Sequence, residues 1–398
     1  MEDDVGDMVS VTSLPIDPAF GRVNVFSSCL VSDGVVALGL RYGEVVLYDL
    51  RTGTARLLEG FSRVVRSMCM ASKSILASAS DDGLIRMWDV NSGECKHVLH
   101  LQSGWSSSIC MATRTILACG VTDCSVMLFN VQTGECIGRL QGYSGWVLSV
   151  CSIDQETGVF AGGDYKGNIR IWNAHTGACL ASFRGHDNKG SVLSQCDHRI
   201  SSLCMVSPTI LASSAYDGSV KLWNVENVAS IRCLGQWVSR YCIDHTFMAT
   251  SDVMACVYSR SVWDGGAHWG LLLRHVYTGD LVHSLPSQCD SAAFRTTCMV
   301  SADTLLSDSN ITQTPTLHLC RINYRVPLRR IGEDTNNPGS AFTSAVILPG
   351  QKRTTYSQSA FAVVREGIAR SVKASKKYTS CGSLGLPDHL LRMISELI

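Results

Sequence analysis

Between residues 75 and 93 the chain reads ILASASDDGLIRMWDVNSG. Apolar positions alternate with small or polar ones on both sides of Asp82-Gly83, which predicts two short strands, over 75–79 and 84–89. A tight turn joins them, because glycine reaches the positive φ such a turn needs at little cost. The second strand ends at Trp88-Asp89, and Ser92-Gly93 turns the chain back.

The pattern recurs. Seven pentads, SSCLV, SMCMA, SICMA, SVCSI, SLCMV, RYCID and TTCMV, put Cys29, Cys69, Cys110, Cys151, Cys204, Cys242 and Cys298 at one place in the repeat. Their spacings are 40, 41, 41, 53, 38 and 56 residues. A strand-ending aromatic keeps the same beat at Tyr48, Trp88, Phe129, Trp172 and Trp223. A period near 40 is the length of one four-stranded propeller blade. A lone blade cannot bury both faces, whereas blades in a ring cover one another. The fold class expected is all-β, a propeller of seven four-stranded blades. Inner strands are expected to begin near residues 25, 65, 106, 147, 200, 238 and 294. An eighth blade stays open: AFTSAVIL at 341–348 reads as an inner strand and FAVVREGIARSVK at 361–373 as a hairpin. Residues 8–14 would then supply its outer strand and close the ring.

These residues resemble WD40 repeats over about 23–331, with Arg274 and Cys320 in the tryptophan place of the last two. The resemblance implies a hydrogen-bonded Ser-Asp-Trp-His set within a blade. Asp82, Asp123 and Asp217 fill its aspartate place, but Tyr42 and Lys166 stand there in repeats one and four. Only Gly185-His186 supplies the Gly-His pair, so one full set is expected at most: His186, Ser213, Asp217 and Trp223.

Composition narrows the function. Charged residues are 17% of the chain, with Lys+Arg and Asp+Glu at 34 each, which argues against a nucleic-acid or membrane-surface binder. The acidic start MEDDVGDM has no secretory character and no apolar run reaches about 18 residues, so a soluble cytoplasmic protein is expected, the nucleus remaining open. Eighteen cysteines suggest a disulfide framework until their periodicity is read. One per repeat inside an apolar strand is a buried filler. No C-x-x-C, phosphate-cradling loop, nucleophile elbow or H-E-x-x-H occurs, and the spacing of Asp244, His245, Asp264, His268, His275 and His283 fits no metal pattern. No catalytic residue, metal or cofactor is expected.

The position five residues before the repeated cysteine does carry a signal. It holds Asn24, Val64, Trp105, Trp146, Arg199, Trp237 and Ala293. The WD40 resemblance places it on the rim around the central channel. Tryptophan and arginine dominate protein–protein hot spots. Trp105, Trp146, Arg199 and Trp237, with Arg63, Tyr143 and Arg295 beside them, are the expected protein-binding face. Loops at 188–199 and 259–269 are expected to add contacts.

The tail, 359–398, has two readings. It is a last-blade hairpin plus a terminal helix, with Leu390, Leu391, Ile394 and Leu397 as an apolar stripe. It also resembles a SOCS box through Ser359, Arg365 and Ile368, then Leu384, Leu386, Pro387 and Leu390, and the opening of an F-box through LPDHLLRMISEL. The SOCS-box resemblance implies elongin and cullin partners. The first function expected is a non-catalytic scaffold for a protein or peptide partner, acidic or phosphorylated. The alternative is a substrate receptor of a cullin-RING ubiquitin ligase. The chain is divided accordingly into 1–22, 23–358 and 359–398.

Overall fold

The computed structural model describes residues 9–15, 25–187, 198–239, 241–261, 267–286, 297–301, 304–309 and 316–322. By contact the chain divides into two units, Met1–Val346 and Ile347–Ile398. The second lies outside the described residues. So do the proposed inner strand at 341–348 and the docking positions Arg365, Ile368, Leu386, Pro387 and Leu390.

The described part is an all-β propeller. After β1 (Val9–Pro15) come β2 (Val25–Ser32), β3 (Val35–Leu40), β4 (Val45–Asp49) and β5 (Ala55–Leu58), the first sheet. The second is β6 (Val65–Met70), β7 (Ile75–Ser80), β8 (Leu84–Asp89) and β9 (Cys95–His100). The third is β10 (Ser106–Met111), β11 (Ile116–Val121), β12 (Ser125–Asn130) and β13 (Cys136–Leu140). The fourth is β14 (Val147–Asp154), β15 (Val159–Asp164), β16 (Asn168–Asn173) and β17 (Cys179–Arg184). The fifth is β18 (Ile200–Ser207), β19 (Ile210–Ala215), β20 (Ser219–Asn224) and β21 (Arg232–Val238). The sixth is β22 (Cys242–Met248), β23 (Val253–Ser261), β24 (Ala267–His275) and β25 (Leu281–Pro286). In these six, consecutive strands pair antiparallel.

A further four-stranded sheet joins both ends of the ring. β26 (Thr297–Ser301), β27 (Thr304–Ser309) and β28 (Thr316–Ile322) are completed by β1, with Val9 opposite Ile322 and Pro15 opposite Thr316. The N-terminal strand therefore closes on β28 and not on a hairpin at 361–373, which removes its role in an eighth blade. β26 in turn lies against β2. The loop expected at 259–269 is mostly strand: Ser259 pairs with Trp269, Arg260 with His268 and Ser261 with Ala267.

The core lies between neighbouring sheets. Second strands such as β7 and β11 are buried almost end to end, because a sheet covers each face. Where sheets converge, only small residues fit. A Cβ on Gly163 would come within 2.6 Å of Ile200 in the next sheet.

Inner strands meet around the axis, and each of the six in the consecutive sheets bulges early, next to Ser27, Ser67, Ser108, Ser149, Ser202 and His245. The bulge re-aims the side chain that follows it. Ser67 Oγ accepts the Ile109 N–H at 3.1 Å, Ser108 Oγ that of Val150 at 3.2 Å, and Ser149 Oγ that of Leu203 at 3.0 Å. Each bond crosses to the next sheet, so serines stitch the ring around an axial cavity of about 360 Å³. Their signal in the sequence is a serine two residues before the cysteine in five of the pentads.

Thirteen of the cysteines in the described residues, all those from Cys29 to Cys256 there, are free. Cys29, Cys69, Cys110, Cys151 and Cys204 are half-buried, not fully buried as expected, and each packs against the edge of a core between sheets. Burial still pushes the Cys151 thiol up to about 12 and that of Cys204 to about 11, leaving them poor nucleophiles.

Candidate functional site

The polar set of the fifth sheet forms in full. Trp223 Nε1 donates to Ser213 Oγ at 2.8 Å, and Ser213 Oγ lies 2.7 Å from His186 Nε2. His186 Nδ1 lies 2.7 Å from Ser219 Oγ, which donates to Asp217 Oδ1 at 2.6 Å. Since Ser219 spends its proton on Asp217, it accepts from His186 Nδ1–H, and Nε2 accepts from Ser213. Ser219, the bridge, is the member that the family spacing did not announce. The set is structural: every buried polar group in it finds a partner. In the fourth sheet Tyr143 replaces the histidine, and Trp172 Nε1 donates to its hydroxyl at 2.9 Å. Gly162 makes the room, since a Cβ there would collide with that hydroxyl.

Burial holds the His186 imidazole below its ordinary value, and the Asp217 carboxylate 3.7 Å from Nδ1 only partly offsets this. For Asp217, burial pushes upward but the nearby His186 ring and the bonds from Ser219 outweigh it, so its carboxyl stays below the usual range. The unfolded chain takes up a histidine proton near pH 6.5 that folded His186 refuses, so the stability it contributes is complete above that pH and is lost below it. Asp217 adds its loss only below about pH 4. Melting temperature is therefore expected to be level above about pH 7 and to fall as pH drops through 6.5. His186→Phe, which copies Phe61 of the second sheet, should reduce that slope in circular-dichroism melts.

The rim is built by one repeated bond. In the second to fifth sheets the residue preceding the inner strand offers its carbonyl to the N–H following the second strand: Val64 to Asp81, Trp105 to Thr122, Trp146 to Tyr165, Arg199 to Tyr216. Two side chains per sheet are thus held at the same face. Trp105 and Trp146 are 42% and 45% exposed and meet edge to face, ring centres 6.1 Å apart. Trp146 meets Tyr165 the same way at 5.7 Å. The Arg199 guanidinium lies 5.5 Å from the Tyr165 ring centre and 3.6 Å from that of Tyr216. Lys166 Nζ approaches Tyr165 at 5.9 Å. The third, fourth and fifth sheets therefore share a continuous aromatic and cationic strip.

Trp105, Trp146 and Arg199 come together here, and Arg63 is exposed beside Val64. Arg295 lies outside the described residues. Two assignments are corrected. Tyr143 is 7% exposed and belongs to the core, where its ring lies against Trp172. Trp237 is 8% exposed, on outer strand β21, opposite Val220. The cause is a slip in register: Cys204 lies opposite Ala212, and the corresponding residue of β22 is Phe247, opposite Ala255. Five residues before Phe247 stands Cys242, which holds the rim place of the sixth sheet. Tyr165 and Tyr216 were not anticipated. Both directly follow a second strand, a position the aspartate pattern did not single out.

The family model for the WD domain, G-beta repeat, matches residues 54–89, 134–173 and 177–224. Each match starts at the outer strand of one sheet and ends on the third strand of the next. Ribosome biogenesis protein YTM1 of Yarrowia lipolytica is 30% identical over 95 residues, 22% of this chain and 19% of that protein. WD repeat-containing protein SL1-17 of Schistosoma mansoni is 39% identical over 71 residues, 17% of this chain and 24% of that protein. The chain thus matches about a fifth to a quarter of the length of these relatives. Among the described residues no helix is long and apolar enough to cross a membrane. The sequence repeat and the sheet are one strand out of phase, so each repeat locks two neighbouring sheets together, and three stretches of this β-propeller are similar to WD40 repeats.

Proposed function

We propose that this protein is a non-catalytic scaffold that holds a protein partner on the rim, engaging an acidic or phosphorylated segment. The ring has seven blades on this reading, β1 with β26–β28 being the seventh. The observation that carries the binding site is the pair Trp105–Trp146, two large exposed rings touching across two sheets and continued by Tyr165 and Arg199. Exposed tryptophan is costly to keep in water, and paired rings bury well under a partner's apolar side chain. Lys166 and Arg63, both exposed, favour an acidic segment.

The double variant Trp105→Ala/Trp146→Ala tests the reading by affinity purification against the unaltered chain. Loss of two hot-spot rings should weaken partner capture at least about thirtyfold. Because both side chains are half in solvent, melting should move little, within about 1 kcal/mol of stability. Unchanged capture of every partner refutes the site.

A further inference from the structure

The two places where the rim departs furthest from its repeat lie side by side. Lys166 stands where Asp82, Asp123 and Asp217 stand in their repeats, and Arg199 stands where Trp105 and Trp146 stand. Lys166 is not there to close its turn. Asp164, two residues earlier, closes it instead. Its carboxylate accepts from Ser144 N and Oγ, from the N–H groups of Lys166 and Asn168, and from the Asn168 amide. With so many donors already on it, Asp164 is fully occupied.

Lys166 and Arg199 approach the same ring, Tyr165, at 5.9 and 5.5 Å. Neither has an ion-pair partner within 4 Å among the described residues. Arg199 Nε is buried and has no hydrogen-bond acceptor among them either. Asp244, hydrogen-bonded to Tyr216, acts on Arg199 only from a distance, and burial pushes its carboxyl upward. Two cations therefore share one aromatic ring, neither of them in a direct ion pair among the described residues. Like charges gathered about one ring repel, and an anion drawn to them relieves that repulsion.

Resting on the rim reading above, we infer that the partner segment presents a phosphate monoester to Lys166 and Arg199 over Tyr165, with an apolar neighbour against Trp146. The charge count selects phosphate. A phosphorylated side chain brings about −1.5 to −2 and three acceptor oxygens, which matches two cations, whereas a carboxylate brings −1. The exposed lysine supplies a point charge and the stacked arginine a directional donor edge.

Degenerate nonapeptide pools with a central phosphoserine, aspartate or serine, immobilised and incubated with the full chain, test this. The phosphoserine pool should retain at least about tenfold more protein than the aspartate pool. Lys166→Gln, an exposed substitution that leaves Asp164 and its donors in place, should bring phosphoserine retention down to the aspartate level. Arg199→Gln should do the same. Equal retention on the phosphoserine and aspartate pools overturns the phosphate and leaves an acidic segment standing. Phosphoserine retention that survives Lys166→Gln overturns the placement, as does retention by no pool. The rim reading itself fails only if Trp105→Ala/Trp146→Ala keeps its partners, so the two failures are distinguishable.

Discussion

A chain beginning at residue 16 is expected to melt well below the full chain and to self-associate. Removing β1 takes away a strand in register with β28 along its whole length, Val9–Pro15 against Thr316–Ile322. Each lost backbone bond is worth about 0.5–1.5 kcal/mol net, so the ladder amounts to several kcal/mol, a large part of a typical folding free energy. The effect is not confined to one edge. β26 of that sheet lies against β2, so loosening the sheet loosens the seam at which the ring shuts. The bared β28 then offers a row of unpaired N–H and C=O groups, a template for another chain. Calorimetry and size-exclusion chromatography of the truncated chain read both effects, and a synthetic peptide of residues 1–15 added in trans should restore part of the melting temperature. A truncated chain that melts with the full one would show that β1 is not what holds the ring shut.

Trp237→Ala is expected to cost about 3–5 kcal/mol of stability. The ring is buried between the outer strand β21 and the sixth sheet, among Leu222, Ile243, Met254 and Leu272. It also covers a buried cation. Arg274, which stands in the tryptophan place of its own repeat, is 8% exposed and lies 5.2 Å from the Trp237 ring centre, with Nη1 donating to Gly279 O at 2.6 Å. Truncation leaves a cavity and a guanidinium without its aromatic cover, and both costs add. Trp237 Nε1 has no acceptor among the described residues, so no hydrogen bond is surrendered to offset or enlarge the loss. Urea unfolding measures it. The contrast with Trp146 is the useful part: the same residue type should cost several kcal/mol at 237 and almost none at 146. Equal effects at the two positions would contradict their placement.

That contrast also shows how far the residues alone could be read. Both tryptophans stand five positions before a cysteine, and by local pattern they are the same. The pentad RYCID imitates the repeat, but β22 pairs with β23 in a register that puts Phe247 where the cysteine belongs. Strand register is settled by the partner strand and the face it must bury, and a pentad contains neither. The polar set around His186 was legible for the opposite reason. Its members keep the family spacing, and the insertion after His186 does not disturb it because Gly185 and His186 are already tied to Gly167 by backbone bonds.

Short-range chemistry accounts for the rest of what was readable. Alternation of period two, Asp-Gly turns such as Gly83 with φ +82°, and a thiol every forty residues all act within a few residues, so they specify strands, hairpins and a ring of sheets before any fold exists. The rim strip is different in kind. Trp146 and Arg199 lie 53 residues apart, and Tyr165 and Tyr216 enter only because the bond closing each sheet sets them beside those residues. Contact between side chains of different sheets depends on how the sheets are phased around the axis. That phase is set by packing between sheets, which no local stretch of chain encodes.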